Sequence, residues 1–217
     1  VTPVNDEPTF ELSGMPLFSP LDPNAEGRVW AWGLNNDGQI GDGSIGTAGQ
    51  PVQVGSQTGW HKVATGDQFT LAIKSDGTLW SWGDNFYGEL GDGTTTDRDV
   101  PVQIGDENDW ESVHGGDGHV VALKRDGSLW SWGRDDFGQM GNGAAAATTA
   151  PQRIGLESDW RAVSAGSLHT VALKTDGSLW AWGRNQFGQL GTGSTTSSSS
   201  PVRIGVADDW MEIAAGG

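Results

Sequence analysis

Carboxylates and imidazoles are the groups in this 217-residue sequence that could do chemistry: 28 acidic residues and four histidines, with no cysteine. The absence of cysteine removes disulfides, thiolate zinc sites and thiol nucleophiles. His119 and His169 stand 50 residues apart, as do Asp42 and Asp92, each of the latter inside "GDG". If that spacing reflects stacked sheets about 10 Å apart, two imidazoles cannot share a zinc at about 2.0 Å each, and hydrogen bonding within the fold is the expected role. His61 and His114 fall outside that phase. The position of Asp42 and Asp92 becomes Asn142 and Thr192, so a metal loop is not repeated. Asp76, Asp126 and Asp176 each precede glycine, where turn chemistry accounts for them. No serine sits in a GxSxG elbow and no phosphate loop has its strand-then-helix setting. No catalytic residue, metal ligand or cofactor is assigned.

What must position these groups is a repeat. All twelve tryptophans fall on a step of 50 residues: Trp30, Trp80, Trp130, Trp180; Trp32, Trp82, Trp132, Trp182; and Trp60, Trp110, Trp160, Trp210. Pro51, Pro101, Pro151 and Pro201 keep the same step. Such a period marks a repeat architecture in which each unit buries its face against the next. The 35 glycines, at about twice the usual share, point to tight turns between short strands and hence to an all-β fold.

Within one unit, "FTLAIKSDGTLWSWG" reads as two strands joined by an Asp76-Gly77 type I′ turn. That register sets Ala72 opposite Ser81 and Ile73 opposite Trp80, with Trp80 and Trp82 on one face. "PVQI" and "WESV" supply two further strands. Four antiparallel strands per unit fit a β-propeller blade. The tryptophans are read as blade core, Trp80, Trp130 and Trp180 included, because each buried indole removes about 150–250 Å² from water. Tyr87, Phe137 and Phe187 are expected to lie buried under the glycine turn.

The motif "GSLHTVALKTDGSLWAWGRNQFGQLGTG" followed by "PVRIG" resembles the regulator of chromosome condensation (RCC) repeat family, a likeness that runs over residues 27–217. The resemblance implies a propeller, often seven-bladed. The family includes an ultraviolet-B photoreceptor whose light-sensing tryptophans lie in "GWRHT"; here the matching stretches are "GDQFT", "GDGHV" and "GSLHT", so photoreception is not implied.

The units divide as a half-unit over 27–55, full units over 60–105, 110–155 and 160–205, and a partial strand over 210–217, all within a repeat domain spanning 14–217. The run 15–24 carries three prolines and is unsuited to an inner strand. About four blades are expected, as an open arc of a larger ring, since closing four would demand sharper wedge angles and the core residues show no corresponding change. Trp30 and Trp210 should lie near the arc's ends and be more exposed than Trp80, Trp110 or Trp130, and the bare ends could self-associate. A start at Val1 without an initiator Met reads as a segment of a longer chain. Residues 1–13, with "PVNDEP", resemble the end of a bacterial cadherin-like domain and its linker. That resemblance implies an extracellular or cell-surface bacterial parent, and would make Asn5 and Asp6 linker calcium ligands if upstream carboxylates completed the site.

A net charge of −16 opposes binding to nucleic acid, and no apolar run is long enough to insert in a membrane. The seven-residue stretches 44–50, 94–100, 144–150 and 194–200 differ in chemistry inside a constant frame, which marks a binding face. Its candidate residues are Thr96, Asp97, Arg98, Asp99, Thr148, Thr149, Thr195 and Thr196. The expected function is a non-catalytic protein-interaction or scaffold module of a secreted multidomain bacterial protein. The alternatives are an enzyme regulator, since the family includes a β-lactamase inhibitory protein and a nucleotide exchange factor, and a propeller hydrolase or lyase.

Overall fold

The computed structural model describes residues 9–13, 27–144 and 146–216. Fifteen strands and no helix are found among them. The first sheet is β1 (Thr9–Ser13), β2 (Arg28–Gly33) and β3 (Ala48–Gln53). The second runs β4 (Trp60–Thr65), β5 (Phe69–Lys74), β6 (Leu79–Gly83) and β7 (Arg98–Gln103). The third runs β8 (Trp110–Gly115), β9 (His119–Lys124), β10 (Leu129–Gly133) and β11 (Thr148–Arg153). The fourth repeats this with β12 (Trp160–Ala165), β13 (His169–Lys174), β14 (Leu179–Gly183) and β15 (Ser198–Arg203). Every sheet follows chain order with antiparallel neighbours, and the four form an open arc of propeller blades.

The hairpin register differs by one residue from the expected one. Ala72 faces Trp80, and Leu71 faces Ser81. Gly77 N–H donates to the Lys74 carbonyl at 2.9 Å and Lys74 N–H to the Thr78 carbonyl at 3.0 Å, so three residues form the loop. A type I′ turn needs positive φ at two positions, and only Gly77 has it, at +85°. The turn is therefore a type I turn closed by a glycine bulge, with the Asp76 carboxylate accepting from the Thr78 amide at 3.0 Å.

Each outer strand carries its proline within a bulged stretch, where the pairing jumps from Ser81↔Val102 to Gly83↔Arg98. Proline there lacks the N–H that a foreign strand would pair with, which blunts the exposed edge.

Three apolar clusters fill the three junctions between sheets, and each takes the second tryptophan of the later sheet: Trp82, Trp132 and Trp182. These indoles are fully buried, and Trp60, Trp110 and Trp160 nearly so. Trp80, Trp130 and Trp180 are only half-buried, a correction to their reading as core. Trp110 bridges the two classes, edge-on to Trp130 at 5.8 Å and to Trp132 at 6.1 Å. The rings are thus distributed round the arc and converge on no ligand.

Both ends depart from expectation. Five residues that the sequence placed in a linker form β1 and pair with β2 from Thr9↔Trp32 to Ser13↔Arg28. The third strand of the first sheet thus comes from ahead of the proline-rich run, which itself lies outside the described residues. Trp30, in a middle strand, is consequently half-buried like Trp80 and Trp130, while Trp210 is 42% exposed. The expected strand at 210–217 is absent over 210–216, which lie beside β12 through Arg161 side-chain bonds to the Trp210 and Met211 carbonyls. Residues 1–8, with Asn5 and Asp6, lie outside the described residues.

Candidate interaction surface

Antiparallel order puts two sets of loops at the same end of each four-stranded sheet. In the second sheet these are 66–68 and 84–97, tied together by Asp84 N–H donating to the Gln68 carbonyl at 2.9 Å. The turn 75–78 and the link 104–109 lie at the opposite end.

One buried residue organises each long loop. Asn85 accepts the Leu90 amide at 3.0 Å through Oδ1 and donates through Nδ2 to the Thr94 and Thr96 carbonyls at 3.2 and 3.1 Å. Asn185 repeats this with Leu190, Ser194 and Thr196. In the third sheet Asp135 takes the position and accepts the Met140 and Ala146 amides at 2.9 and 3.2 Å.

The predicted site residues divide by this frame. Asp97 accepts the Asn85 amide at 2.9 Å and is otherwise exposed. Arg98 pairs with Asp92 at 2.6 Å. Burial alone would raise the Asp92 carboxyl, but the Thr94 hydroxyl and Arg98 more than reverse this and hold it below its usual range. Asp92 thus serves the loop, and its counterparts Asp42 and Asn142 accept the amides of Ser44 and Ala144 in the same way, at 2.9 and 2.8 Å. Asp99 and Thr149 link sheets: their carbonyls accept Gly43 and Gly93 amides of the preceding unit at 2.9 and 2.8 Å. Because the backbone makes that contact, the side chain there is free to vary. Thr148 is half-buried, its hydroxyl donating to the Ala150 carbonyl at 3.3 Å. Thr96, Thr195 and Thr196 are exposed.

The geometry joins Asn36, Asp37 and Ile45 to two of the predicted site residues, Asp97 and Asp99, and together they enclose an open cavity of about 280 Å³ between the first two units. Burial, then Asp97 and Asp67, push the Asp37 carboxyl upward. Burial, offset in part by the Phe86 amide, together with Asp97 and Asp37, does the same to Asp84. The later units present cations on the same face. Arg134 lies over the Tyr87 ring at 4.7 Å, and Arg184 over Phe137 and Phe187 at 5.3 Å each. The aromatics expected under the glycine turn therefore sit beneath arginines, and Phe187 is 82% exposed. Phe86 is 71% exposed and edge-on to Tyr87 at 4.9 Å. Nearer the axis, the loops carrying Gly66, Asp67, Gly116, Asp117, Gly166 and Ser167 line a depression of about 250 Å³. Asp67 and Asp117 amides donate to the Gly116 and Ser167 carbonyls of the next unit at 3.1 and 2.9 Å.

His119 makes the structural bond expected of it. Thr170 Oγ1 donates to the Gln139 carbonyl at 2.9 Å, so His119 Nε2 must donate to that hydroxyl, 3.1 Å away. Among the described residues no three His, Asp or Glu side chains are grouped to hold a metal.

A family model described as an RCC1-like domain matches residues 24–217. No curated protein matches the sequence significantly. Among solved structures, human WBSCR16 superposes with a TM-score of 0.80 at 26% identity, over 88% of this chain and 52% of that one. Prp20p from Saccharomyces cerevisiae, described with its binding properties to Gsp1p and histones, gives 0.79 at 24% identity, over 88% and 50%. Yeast RCC1 (Prp20) with Kap60 bound gives 0.74 at 24%, over 87% and 48%. The chain spans about half the length of these structures.

Proposed function

The chain belongs to the RCC1-like domain family, and we propose that it is a non-catalytic module that binds a protein partner through the face carrying the 34–50, 84–100, 134–150 and 184–200 segments. The observation that carries this is the face's uneven charge: carboxylates of Asp37, Asp84, Asp97 and Asp99 gather at one side, while the other carries the Arg184 guanidinium and that of Arg134, paired with Asp136, with exposed Ile45, Phe86 and Phe187 among them. Exposed aromatics amid fixed charges of both signs are the ingredients of a protein interface. Opposed charges also orient a partner. Duplex DNA fits the acidic side poorly. A secreted, multidomain bacterial setting is part of the same proposal and rests on the N-terminal "PVNDEP" run.

The test is quantitative binding to partners captured by crosslinking in the source cells. Phe86→Ala and Asp97→Ala should weaken capture at least tenfold, whereas Asp126→Ala and Asp176→Ala, at the opposite end of the sheets, should leave it unchanged. Equal losses from both sets, or loss from the second alone, would place the interface elsewhere.

A further inference from the structure

Unit two breaks the repeat at one buried place. Glu89, 1% exposed, stands where the other units carry Gln39, Gln139 and Gln189. The glutamines use Oε1 to accept the amides of Asp37, Phe137 and Phe187 at 3.0, 2.9 and 2.9 Å. Glu89 Oε2 accepts the Tyr87 amide at 2.7 Å in the same way. A carboxyl matches the shape of the amide, so the exchange costs nothing sterically. Ionised, however, it puts an anion in the junction between sheets two and three, where its counterparts in the other units are neutral.

The surroundings favour the proton. From its own unit Glu89 meets the Asp84 carboxyl, which caps the Phe86 amide at 3.2 Å and is itself repelled by Asp97 and Asp37. From sheet three come the Trp132 indole, donating to the Glu89 carbonyl at 2.8 Å, and the Gly133 backbone. Arg134, the cation that sheet three brings to this junction, is engaged by Asp136 at 2.7 Å, stacks on Tyr87, and has Asp117 nearby. Burial, then the Asp84 charge, outweigh the Glu89 and Tyr87 amides, which favour the ionised form, and push the Glu89 carboxyl up to about 8.

We propose that the 84–90 turn is a proton-operated latch: with a proton held at Glu89 it stays clamped on sheet three, and loss of that proton loosens it. The turn presents Phe86, so the latch tunes the interaction face, a consequence that rests on the reading of that face; the latch itself does not. The sign follows from linkage. A carboxyl raised in the closed state contributes fully below its ordinary value of 4.5, and the contribution is lost as pH rises toward 8.

Amide hydrogen exchange tests it without any partner, so a failure of the binding proposal cannot be confused with a failure of the latch. The Tyr87 protection factor, corrected for intrinsic exchange, should fall between pH 5 and 8 by up to about tenfold per unit, the one-proton limit, and level off above. In Glu89→Gln, the residue the other units use, it should stay flat. Asp84→Asn should fold as the wild type does and shift the fall to lower pH. A wild-type protection factor constant from pH 5 to 9, or a parallel fall in Glu89→Gln, would overturn the latch.

Discussion

The indole Nε1 of Trp132 donates to the backbone carbonyl of Glu89, 43 residues earlier and one sheet away, at 2.8 Å. Trp182 repeats the bond to Gln139 at 2.9 Å. Trp132 and Trp182 are therefore each both the apolar plug of a junction and the donor that fixes the preceding unit's glycine turn, whereas Trp82 plugs its junction with no partner for its Nε1 among the described residues. Trp80, Trp130 and Trp180, the first of each pair, pack at the margin of the junction clusters but hydrogen-bond within their own sheets. Trp130 Nε1 donates to Ser128 Oγ at 2.9 Å, and its half-buried face carries Lys124 at 4.5 Å.

Trp132→Ala should accordingly cost about 3–5 kcal/mol, the range for emptying a buried aromatic site. Trp130→Ala should cost clearly less. Denaturant melts of the two variants decide it, and equal losses would show that the two positions are one core.

Gly91 sits at φ +77°, and a Cβ there would lie 2.7 Å from the Trp132 Nε1. Gly91→Ala combines a disfavoured backbone with a clash against a fully buried ring. We expect a loss of about 2 kcal/mol or more. Gly93→Ala is the control, with φ +83° but no atom within 4 Å. It should cost only the backbone term, about 1 kcal/mol. Equal midpoints for the two would remove the steric part of this account.

The architecture was legible because tryptophan, glycine and proline keep a single step, and each does something backbone-specific: plugging a junction, turning at positive φ, or blunting an edge. The hairpin register was not, since Asp76-Gly77 suits both a two-residue turn and a bulged three-residue one, and the choice depends on φ at Asp76. Nor was β1, since "TFELS" shares no residue pattern with "HTVALK". On the candidate surface the loop divergence was visible, but the pinning role of Asn85 was hidden. The Asn35, Asn85, Asp135, Asn185 series looks like ordinary loop polarity until its burial is known. Exposure of Phe187 was likewise invisible, because an aromatic beside glycine reads as core.

Asn85→Ala should release the 94–97 stretch. It strands the Leu90 amide and two carbonyls that now have partners. Leaving such groups unpaired costs about 1–3 kcal/mol. Faster amide exchange should be concentrated at 90–97, and Asn85→Asp, mimicking Asp135, should retain the Leu90 contact. Uniform exchange across the sheet in Asn85→Ala would argue against a local hub.

Acid should destabilise the fold through His119. His119 is fully buried and donates through Nε2, which leaves Nδ1 a bare acceptor with no partner among the described residues. A second proton there would create a buried cation with no carboxylate bonded to it. Burial first, then the charges of His169 and Arg134, push its value down from 6.5 to about 3. With the folded value depressed, the unfolded chain binds the extra proton between those limits, so stability is intact above 6.5 and falls as pH drops toward 3. Glu89 acts in the opposite sense from 4.5 to 8, so the two offset one another between 4.5 and 6.5. His119→Phe, which installs the residue that unit two carries as Phe69, removes the imidazole while keeping a buried ring. Asp76, Asp92, Asp126 and Asp176, all held low by local hydrogen bonds, lose their own contributions in acid in both proteins. Subtracting one stability profile from the other therefore isolates the histidine. The difference should be constant above pH 6.5 and shift against the wild type below it by up to about 1.4 kcal/mol per pH unit. A flat difference from pH 7 to 4 would mean that His119 takes its proton without disturbing the junction between sheets three and four.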